Sequence, residues 1–416
     1  MWSRKRLDIG WSDLLFGVSR VCFPPHRKTA AAHLERLWPA DEHTLACLSV
    51  RSGFDLLLGA LELPHGSEVL VSAITIPDMI RIIEQHGLVP VPVDLDPQRM
   101  TPTLDQWWQA ITPASRLILA AHLFGARTEM EPVLDLARRH GLMVVEDCAQ
   151  AFAGAGYQGH LQADASMFSF GTIKASTALG GAILRIGDRR LLARMQTAQA
   201  AYPVQGRWPY LQRLAKCAVL KGLACRPICG LFIRACQAIG CDYDRLVNHA
   251  ARGFSAADFF VQIRRQPSAS LLAVLAHRLQ GYDSRRLERH VANGRALAAL
   301  LQETVSCPGA AVAPHTYWVF PILIDEPRRL IEHLARAGFD ATQGHSLCVV
   351  RPPAGLGQRA IAAERMLAKL VFLPFYPELP VRESLRMADV ILEAAGERKR
   401  ENREKRGQNY SSGESF

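Results

Sequence analysis

Short apolar runs alternate with helical patterns through the first half of the chain, and this alternation constrains the fold more than any other feature. The predicted strands are Glu68–Val71, Val89–Val93, Leu117–Ala121 and Leu142–Val145, and the predicted helices between them are Met79–His86 and Met130–His140. Nearly unbroken apolar strands separated by helices are typical of a mostly parallel sheet that is covered on both faces. We therefore predict an α/β fold.

The pattern changes after Arg185, and residues 191–290 are predicted to be mainly helical. A strand at Tyr317–Ile324, a helix at Glu326–Ala337 and a later apolar run at Phe372–Pro374 indicate a smaller α+β unit. The last residues are charged and then rich in Ser and Gly, which is typical of disorder. The predicted division is a large domain over 1–260 with a helical insertion at about 202–253, a small C-terminal domain over 261–396 and a disordered tail over 397–416.

The insertion at 202–253 is rich in Leu, Ala, Cys, Lys and Arg. Lys221 and Pro227 interrupt its longest apolar piece, so a transmembrane helix is not expected. Two interpretations remain: a helical hairpin packed on the body, which we favour, or an amphipathic surface that touches a membrane or a lipid-linked substrate. Asp8 and Asp13 interrupt any apolar run after the basic N-terminus, so no signal peptide is predicted and a cytoplasmic location is expected.

The formal net charge of +10 fits phosphorylated small molecules as well as a polyanion. No nucleic-acid-binding motif accompanies the charge, so nucleic acid is not a predicted partner. The ten cysteines are scattered and are interpreted as free thiols of a reducing compartment. A cluster with spacings of four, seven and five does not match paired zinc ligands, and no metal is predicted there: Cys225, Cys229, Cys236 and Cys241.

The stretch around Asp147 and Lys174 indicates the chemistry. Asp147 ends an apolar strand and is followed by Gln150, and a turn then brings Ser169 and Lys174 ahead of Gly180-Gly181. A carboxylate for a ring nitrogen, a hydroxyl for a phosphate and an amine for an aldehyde are the groups needed to hold pyridoxal phosphate. The small and apolar residues around Lys174 argue against an ordinary surface lysine.

The order of these pieces resembles fold-type-I pyridoxal phosphate enzymes, and most closely the DegT/DnrJ/StrS-like sugar aminotransferase family. The resemblance is good over residues 45–200 and loose over 265–385. The matching pieces are Ser52-Gly53, Gly87…Pro90…Val93-Asp94, His122-Leu123-Phe124-Gly125, Glu146-Asp147-Cys148-Ala149-Gln150 and Ser169-Phe170…Lys174…Gly180-Gly181.

The resemblance implies a role for each matching residue. Lys174 would form the internal aldimine and then shuttle protons, which requires an amine that is partly unprotonated. Asp147 would pair with the pyridine nitrogen and keep it protonated. Gln150 would lie against the cofactor ring or its 3′-oxygen. Ser169 would donate its hydroxyl to the phosphate.

Further cofactor contacts are expected from Ser52, Gly53 and Phe54, and from Ile76 later in the chain. Ser52 and Gly53 are predicted to open an apolar helix, Phe54–Leu61, whose free amides form a phosphate seat. The family usually has Gly-Thr here, and Phe54 replaces the threonine, so that a hydroxyl contact is lost. Ile76 stands where the family commonly places an aromatic residue over the ring.

The family also usually supplies an asparagine to the phosphate from the neighbouring subunit, and we find none in this chain. Arg264 or Arg265 is the candidate substitute. His122 is equally well interpreted as an active-site residue or as a structural hydrogen-bonding group. Residues chosen only by position as candidates for the substrate pocket are His315, Tyr317, Trp318 and His345.

The predicted function is a pyridoxal phosphate-dependent aminotransferase. It would move an amino group from an amino acid, glutamate by family resemblance, to the keto group of a phosphorylated acceptor, in the family most often a nucleotide-linked keto-sugar. Two alternatives remain: a relative with a lipid-linked or non-sugar acceptor, and a non-catalytic binding or regulatory module with the same fold. A homodimer is expected because fold-type-I active sites usually lie between subunits.

Overall fold

The computed structural model describes residues 1–4, 6–38, 43–239, 254, 257–344, 346–353 and 359–411. Its centre is a seven-stranded sheet with the strand order β1-β8-β7-β6-β5-β2-β4. These strands are β1 (Thr44–Cys47), β2 (Glu68–Ser72), β4 (Val89–Val93), β5 (Ser115–Ala121), β6 (Met143–Asp147), β7 (Ala165–Ser169) and β8 (Ala182–Ile186). Strands β4, β2, β5, β6 and β7 are parallel, whereas β8 is antiparallel to both β7 and β1. The predicted α/β fold with a mostly parallel sheet is confirmed.

Helices cover the sheet and extend beyond it. Those that precede or follow the sheet strands are α1 (Trp11–Cys22), α2 (Arg27–Arg36), α3 (Val50–Leu61), α4 (Pro77–Gln85), α5 (Leu104–Ala110), α6 (Met130–His140) and α7 (Arg189–Ala200). After α7 come α8 (Arg207–Leu223), α9 (Arg226–Ala238), α10 (Phe259–Ile263), α11 (Ala269–Gln280) and α12 (Ser284–Leu301). Residues 207–238 are thus helical, as predicted for this part of the insertion. Among the described residues, no helix has both the length and the apolar character needed to cross a membrane.

The side chains of the central strands alternate between two cores, as the pleat of a strand requires. Val69, Leu119 and Val145 pack in the core beneath α3, α4 and α7. Their neighbours Leu70 and Val144 pack in the core beneath α6 on the other face. Consecutive residues at the end of a strand therefore face opposite sides of the sheet.

A second, smaller group of elements follows α12. It contains the antiparallel pair β9 (Phe320–Leu323) and β11 (Leu370–Leu373), together with α13 (Pro327–Arg336), α14 (Ile361–Lys369) and α15 (Val381–Ser411). A short pair joins β10 (Cys348–Val349) to β3 (Ile74–Thr75) of the first part. The strand predicted at Tyr317–Ile324 begins only at Phe320, because Tyr317 has a φ of 49° and interrupts the extended chain.

The structure gives two observations on the predicted domain division, which itself stays a prediction. Helix α11 falls in the predicted small domain, yet its buried residues belong to the same core as those of α8 and the N-terminal helices. Helix α15 continues through residues 397–411, where the sequence predicts disorder. Residues 412–416 lie outside the described part of the chain.

The N-terminal segment connects the two groups of elements. The Trp2 backbone N–H donates to Gly338 O at 2.8 Å, and its indole Nε1 donates to Glu383 Oε2 at 2.9 Å. Six residues later, Asp8 Oδ2 accepts from the Ser176 backbone N–H at 2.6 Å. The first ten residues thus bind both the C-terminal elements and the loop between β7 and β8.

Candidate active site

Asp147 and Ser169 end two adjacent parallel strands, β6 and β7, at the same edge of the sheet. Ligands of open parallel sheets bind at this carboxyl edge. The alternation of side chains places both residues on the α3 face of the sheet, where Val145 and Met167 pack. The twelve residues that connect β7 to β8 then carry Lys174.

The loop that holds Lys174 is fixed by hydrogen bonds to its own backbone. Lys174 N–H donates to Gly171 O at 2.9 Å, and the buried Thr177 hydroxyl reaches the same carbonyl at 2.7 Å. Gly181 has a φ of 86° and donates its N–H to Leu48 O at 2.8 Å. A left-handed φ of this kind favours glycine, which explains Gly181 at the end of the loop.

The Lys174 side chain is half-buried. Its Nζ is 3.9 Å from the centroid of the Trp318 ring, and the Trp318 indole donates to Ile173 O at 3.2 Å. Burial is the largest influence and lowers the pKa of Lys174, the Asp147 charge opposes this, and the Arg51 charge adds to it; together they bring the pKa to about 8. An amine with this pKa is partly unprotonated near neutral pH, as covalent and proton-transfer chemistry requires.

Asp147 is partly exposed and lies close enough to Lys174 for their charges to interact. Burial raises the pKa of Asp147, while a hydrogen bond from the Ala149 N–H and the charges of Lys174 and Arg51 counteract this effect. The Ala149 N–H reaches Asp147 Oδ1 at 2.9 Å. The carboxylate therefore keeps acceptor capacity for a ligand.

A cavity of about 110 Å³ adjoins the amine. Gln150, Ser169 and Lys174 line it together with Thr316 and Trp318. Charged residues of the N-terminal segment, α12 and the chain before α15 also line the cavity: Arg6, Asp8, Arg286 and Glu378. The remaining residues predicted near the cofactor lie outside this lining: Asp147 at the end of β6, and Ser52, Gly53, Phe54 and Ile76 at the starts of α3 and α4.

Gln150 has a fixed orientation. Its Oε1 accepts a hydrogen bond from the Phe124 backbone N–H at 2.8 Å, and Phe124 adopts a φ of 59°. Because the carbonyl end of the amide is used in this way, the NH₂ end is the part available to a ligand.

Helix α3 begins at Val50, four residues before the predicted start. Ser49 is the N-cap, and its Oγ accepts from the Ser52 N–H at 3.1 Å and lies 2.9 Å from Ser52 Oγ. The Gly53 N–H donates to Ser49 O at 3.0 Å. The amides of Ser52 and Gly53 are therefore already engaged, and those of Val50 and Arg51 are the open donors of the first turn.

The other residues predicted near residue 52 have packing roles. The Phe54 side chain is fully buried in the core beneath α3. A Cβ on Gly53 would come within 2.5 Å of the Leu184 side chain, so glycine is needed where α3 crosses β8. Ile76 precedes α4 and packs against the same core.

Arg51 is the site residue that the sequence argument missed. It lies in the first turn of α3, its Nε is 2.6 Å from Asp78 Oδ2, and its charge acts on both Lys174 and Asp147. A cation at the N-terminus of a helix attracts anions together with the open amides. The sequence signal for this helix start was Ser49, because a serine just before an apolar helical run is a typical N-cap.

Arg264, predicted as a substitute cation, is engaged elsewhere. Its Nε and Nη2 donate to the two oxygens of Asp55 at 2.9 Å each, and His86 Nε2 is 3.1 Å from the same carboxylate. Arg265 is half-exposed and donates to Val261 O at 3.4 Å. In the described chain neither guanidinium lines the cavity next to Lys174.

His122 is a structural residue and does not open to the cavity. Its Nδ1 accepts from the Thr128 N–H at 2.9 Å, so the neutral ring carries its proton on Nε2 and donates it to Glu146 Oε1 at 2.7 Å. Glu146 also accepts from Ser166 Oγ at 2.7 Å and from the His160 N–H at 2.8 Å, as well as from the Tyr157 hydroxyl.

Burial would raise the pKa of Glu146, but the hydrogen bonds that it accepts, led by that from His122, hold its pKa below the usual value. Ligand atoms of His122, Glu146 and Cys148 lie within 4.8 Å of one another. Both nitrogens of the histidine and both carboxylate oxygens of Glu146 are already used by protein groups. The cluster is therefore a hydrogen-bonded network and not a metal site.

The candidates for the substrate pocket separate in the structure. Trp318 lines the cavity, whereas His315 and Tyr317 are buried, with ring centroids 4.0 Å apart. His345 lies outside the described residues, as does Cys241 of the cysteine cluster.

Comparison with known proteins identifies the class. The fold is similar to that of the sugar aminotransferase CalS13 from Micromonospora echinospora, with a TM-score of 0.68 at 20% identity, covering 94% of this chain and 100% of that one. NtdA from Bacillus subtilis, solved with bound cofactor PMP, gives a TM-score of 0.64 at 17% identity, covering 93% of this chain and 81% of that one. The chain has the fold of the pyridoxal phosphate-dependent aminotransferases.

A sequence match to a known family covers part of the chain. Residues 32–206 match the DegT/DnrJ/EryC1/StrS aminotransferase family, so the predicted resemblance is confirmed over this part of the chain. GDP-perosamine synthase from Caulobacter vibrioides is 34% identical over 158 residues, which cover 37% of this chain. The match spans about two fifths of that relative, 42% of its length.

Proposed function

We propose that this protein is a pyridoxal phosphate-dependent aminotransferase. It takes the amino group of an amino acid, glutamate by family resemblance, and delivers it to the keto group of a nucleotide-linked sugar. The observation that carries the proposal is the half-buried amine of Lys174, with its pKa lowered to about 8, against the Trp318 ring and near Asp147 at the carboxyl edge of the sheet.

The residues present fit pyridoxal phosphate. Lys174 Nζ would bind the cofactor covalently, Asp147 would hold the pyridine nitrogen, and the NH₂ group of Gln150 would lie near the ring. Ser169 and the open amides of α3 would hold the phosphate, with Arg51 as the nearby cation. Once bound, the cofactor supplies an electron sink for the reacting carbon.

Lys174 has a second task, which is to carry a proton. Partial neutrality at physiological pH lets its Nζ accept a proton from the substrate carbon, and the remaining basicity lets it return one. Trp318 covers Nζ at 3.9 Å and limits both the motion of the amine and its access to water. The hydrogen bond from the Trp318 indole to Ile173 O ties this cover to the lysine loop.

Asp147 must stay ionised to hold a protonated pyridine nitrogen. Burial alone works against this because it raises the pKa of the carboxyl group, whereas the Lys174 and Arg51 charges favour the carboxylate. A cationic ring nitrogen would stabilise the carboxylate further. Asp147 is thus suited to a positively charged partner.

The acceptor class rests on the relatives and on charge. The matched curated relative is a GDP-perosamine synthase, and CalS13 is a sugar aminotransferase. The net charge of +10 suits a diphosphate-bearing acceptor. A homodimer is proposed because fold-type-I active sites usually lie between subunits.

The visible absorption spectrum of the purified protein tests the proposal. With pyridoxal phosphate we expect a visible band that Lys174→Ala lacks, and we expect glutamate to convert the cofactor to its pyridoxamine form. The control variant Lys216→Ala, which changes an exposed lysine, should leave both results unchanged. A band that no amino donor alters would contradict the transaminase assignment, and the absence of any band would favour a non-catalytic module.

A further inference from the structure

Helix α1 presents an apolar stripe to solvent. Trp11, Leu15 and Val18 are exposed at helical spacing, Leu15 to 71%, and Phe23 follows at 79%. The opposite side of the helix is buried. An amphipathic helix normally turns its apolar stripe toward the protein, so a second, outward stripe indicates a surface that binds something.

The helices α8 and α9 continue this exposed apolar surface. Trp208 and Val219 of α8 are exposed, and so are Ile228 and Leu231 of α9, the last to 71%. The inner side of α8 is anchored to the body, since Tyr210 is fully buried and its hydroxyl donates to Ala178 O at 2.9 Å. The exposed apolar residues are therefore not the packing face of a displaced helix.

Two contacts make these helices neighbours. A Cβ on Gly17 would lie within 2.7 Å of the Leu214 side chain, so α1 and α8 cross closely at that point. The Lys221 amine lies 5.8 Å from the Trp11 ring centroid, which joins the last turn of α8 to the start of α1. We call the exposed residues of α1, α8 and α9 the basic apolar surface.

The charged residues from Arg189 to Cys241 are all basic. Between Asp188 and Asp242 the sequence contains no acidic residue and nine basic ones: Arg189, Arg190, Arg194, Arg207, Arg213, Lys216, Lys221, Arg226 and Arg234. Arg207 and Lys216 are exposed on α8 itself. Exposed aromatic and aliphatic side chains beside the exposed cations Arg207 and Lys216 match the chemistry of an anionic lipid surface.

We propose that the basic apolar surface binds the face of an anionic phospholipid bilayer. The apolar side chains enter the boundary between headgroups and acyl chains, and the cations contact the headgroup phosphates. Helices of this type lie in the plane of the interface, so no membrane-spanning segment is needed.

The surface also lies near residues of the active-site cavity. Arg6, Asp8 and Glu378 line that cavity, and the charges of the same three residues act on Lys221 at the edge of the surface. Docking would therefore place this part of the cavity lining close to the lipid headgroups. This binding is independent of the proposed aminotransferase activity and would exist in a protein that lacked it.

Vesicle flotation of the full-length, cofactor-loaded protein tests the proposal. We expect binding to vesicles of phosphatidylcholine mixed with phosphatidylglycerol, and release as salt is raised, because the cations contribute through screened attraction. Lys216→Gln should lower the partition coefficient about fivefold, the effect of one cation near an anionic surface. Leu231→Glu should lower it by about tenfold or more.

A matched control separates this surface from exposed leucines in general. Leu161 is 68% exposed, against 71% for Leu231, and lies in the loop between β6 and β7. Leu161→Glu should leave vesicle binding unchanged. Burial of Trp208 in the lipid would shift tryptophan fluorescence to the blue on vesicle addition, and Trp208→Phe should reduce that shift.

Three results would overturn the proposal. The first is no binding to anionic vesicles by correctly folded protein, and the second is equal, salt-insensitive binding to phosphatidylcholine alone. The third is a change of oligomeric mass in Leu15→Glu and Leu231→Glu by light scattering without any vesicle binding, which would assign the surface to a second copy of the chain. Circular dichroism of each variant confirms its folding, and Lys216→Gln remains informative where an apolar-to-acidic change disturbs the helix.

Discussion

The neighbouring carboxylates Glu146 and Asp147 lie on opposite faces of strand β6 and differ in burial and in hydrogen bonding. Glu146 is fully buried and accepts hydrogen bonds from His122, Tyr157, Ser166 and the His160 backbone. Asp147 faces the other side, is partly exposed, and within the described chain is shown with one hydrogen bond, from Ala149.

The difference shows how one short motif separates structure from chemistry. A carboxylate whose acceptor positions are filled by protein donors has nothing left for a ligand and contributes stability. A carboxylate with unused acceptor capacity, such as Asp147 beside the Lys174 amine, lowers the stability of the folded protein and is available for reaction. Because side chains alternate along a strand, the two roles require only adjacent residues.

Exchange of the Asp147 carboxylate for an amide should give the largest effect. Asp147→Asn keeps the shape but cannot hold a protonated ring nitrogen by charge, so we expect kcat/KM for amino transfer to fall by about 10³-fold. Thermal unfolding of the cofactor-free protein should change little. A variant that kept its activity but lost stability would show that the two faces of β6 have been assigned the wrong way round.

The carboxylate-to-amide change at Glu146 should lower the stability of the protein and leave cofactor binding intact. Glu146→Gln leaves buried donors facing an amide that cannot accept all of them, and we expect a loss of about 3 kcal/mol in the free energy of unfolding. Urea unfolding of the cofactor-free protein measures the loss. The visible band with pyridoxal phosphate should remain, and its disappearance in a folded variant would place Glu146 in the site.

Lys174 should reduce the stability of the cofactor-free protein. Its pKa is lowered from 10.5 to about 8, so the native state resists the charge that the unfolded chain carries. Lys174→Met should therefore raise the free energy of unfolding at pH 7 by about 2 kcal/mol. Between about pH 8 and 10.5 the unfolded wild-type chain binds more protons than the native one, so wild-type stability rises with pH and the difference from Lys174→Met shrinks.

Urea unfolding at pH 7 and pH 10 checks this sign. Lys216→Met is the control, because Lys216 is exposed and should show no such pH-dependent difference. A Lys174→Met variant that is less stable than wild type at pH 7 would mean that the amine is a structural ion-pair partner of Asp147.

The smallest effect concerns the phosphate end of the site. Arg51→Gln removes a cation from the start of α3, and we expect affinity for pyridoxal phosphate to fall about tenfold, while affinity for pyridoxal, which lacks the phosphate, is unchanged. Arg264→Gln is the comparison, because this arginine pairs with Asp55 in the same helix. If Arg264→Gln weakens the binding of pyridoxal phosphate and Arg51→Gln does not, the cation predicted from sequence is the correct one.

The sequence was sufficient for the parts of the molecule that depend on local pattern. Unbroken apolar strands predict the parallel sheet, and the position of Asp147 at a strand end predicts that it lies at the carboxyl edge. The sheet and the place of Asp147 follow from residues close in sequence, because strands and strand ends are encoded locally. The role of Lys174, predicted from its distance along the chain and its small neighbours, stays a prediction.

The remaining parts depend on contacts that no local pattern records. The start of α3 was predicted at Phe54, where the apolar run after Ser52-Gly53 begins, whereas the Ser49 cap moves the start to Val50. Arg51 acquires its place from that shift. The role of His122 follows from Glu146, 24 residues away in sequence, and from the Thr128 N–H.

The N-terminal segment has a consequence for how the protein matures. Trp2 bonds to Gly338 and Glu383, and Asp8 bonds to the loop that carries Lys174. During synthesis the first residues leave the ribosome long before their partners exist, so they must wait for almost the whole chain. The lysine loop gains its last support only then, and a nascent chain that is cut short lacks a finished site even though every residue of the central sheet has been made.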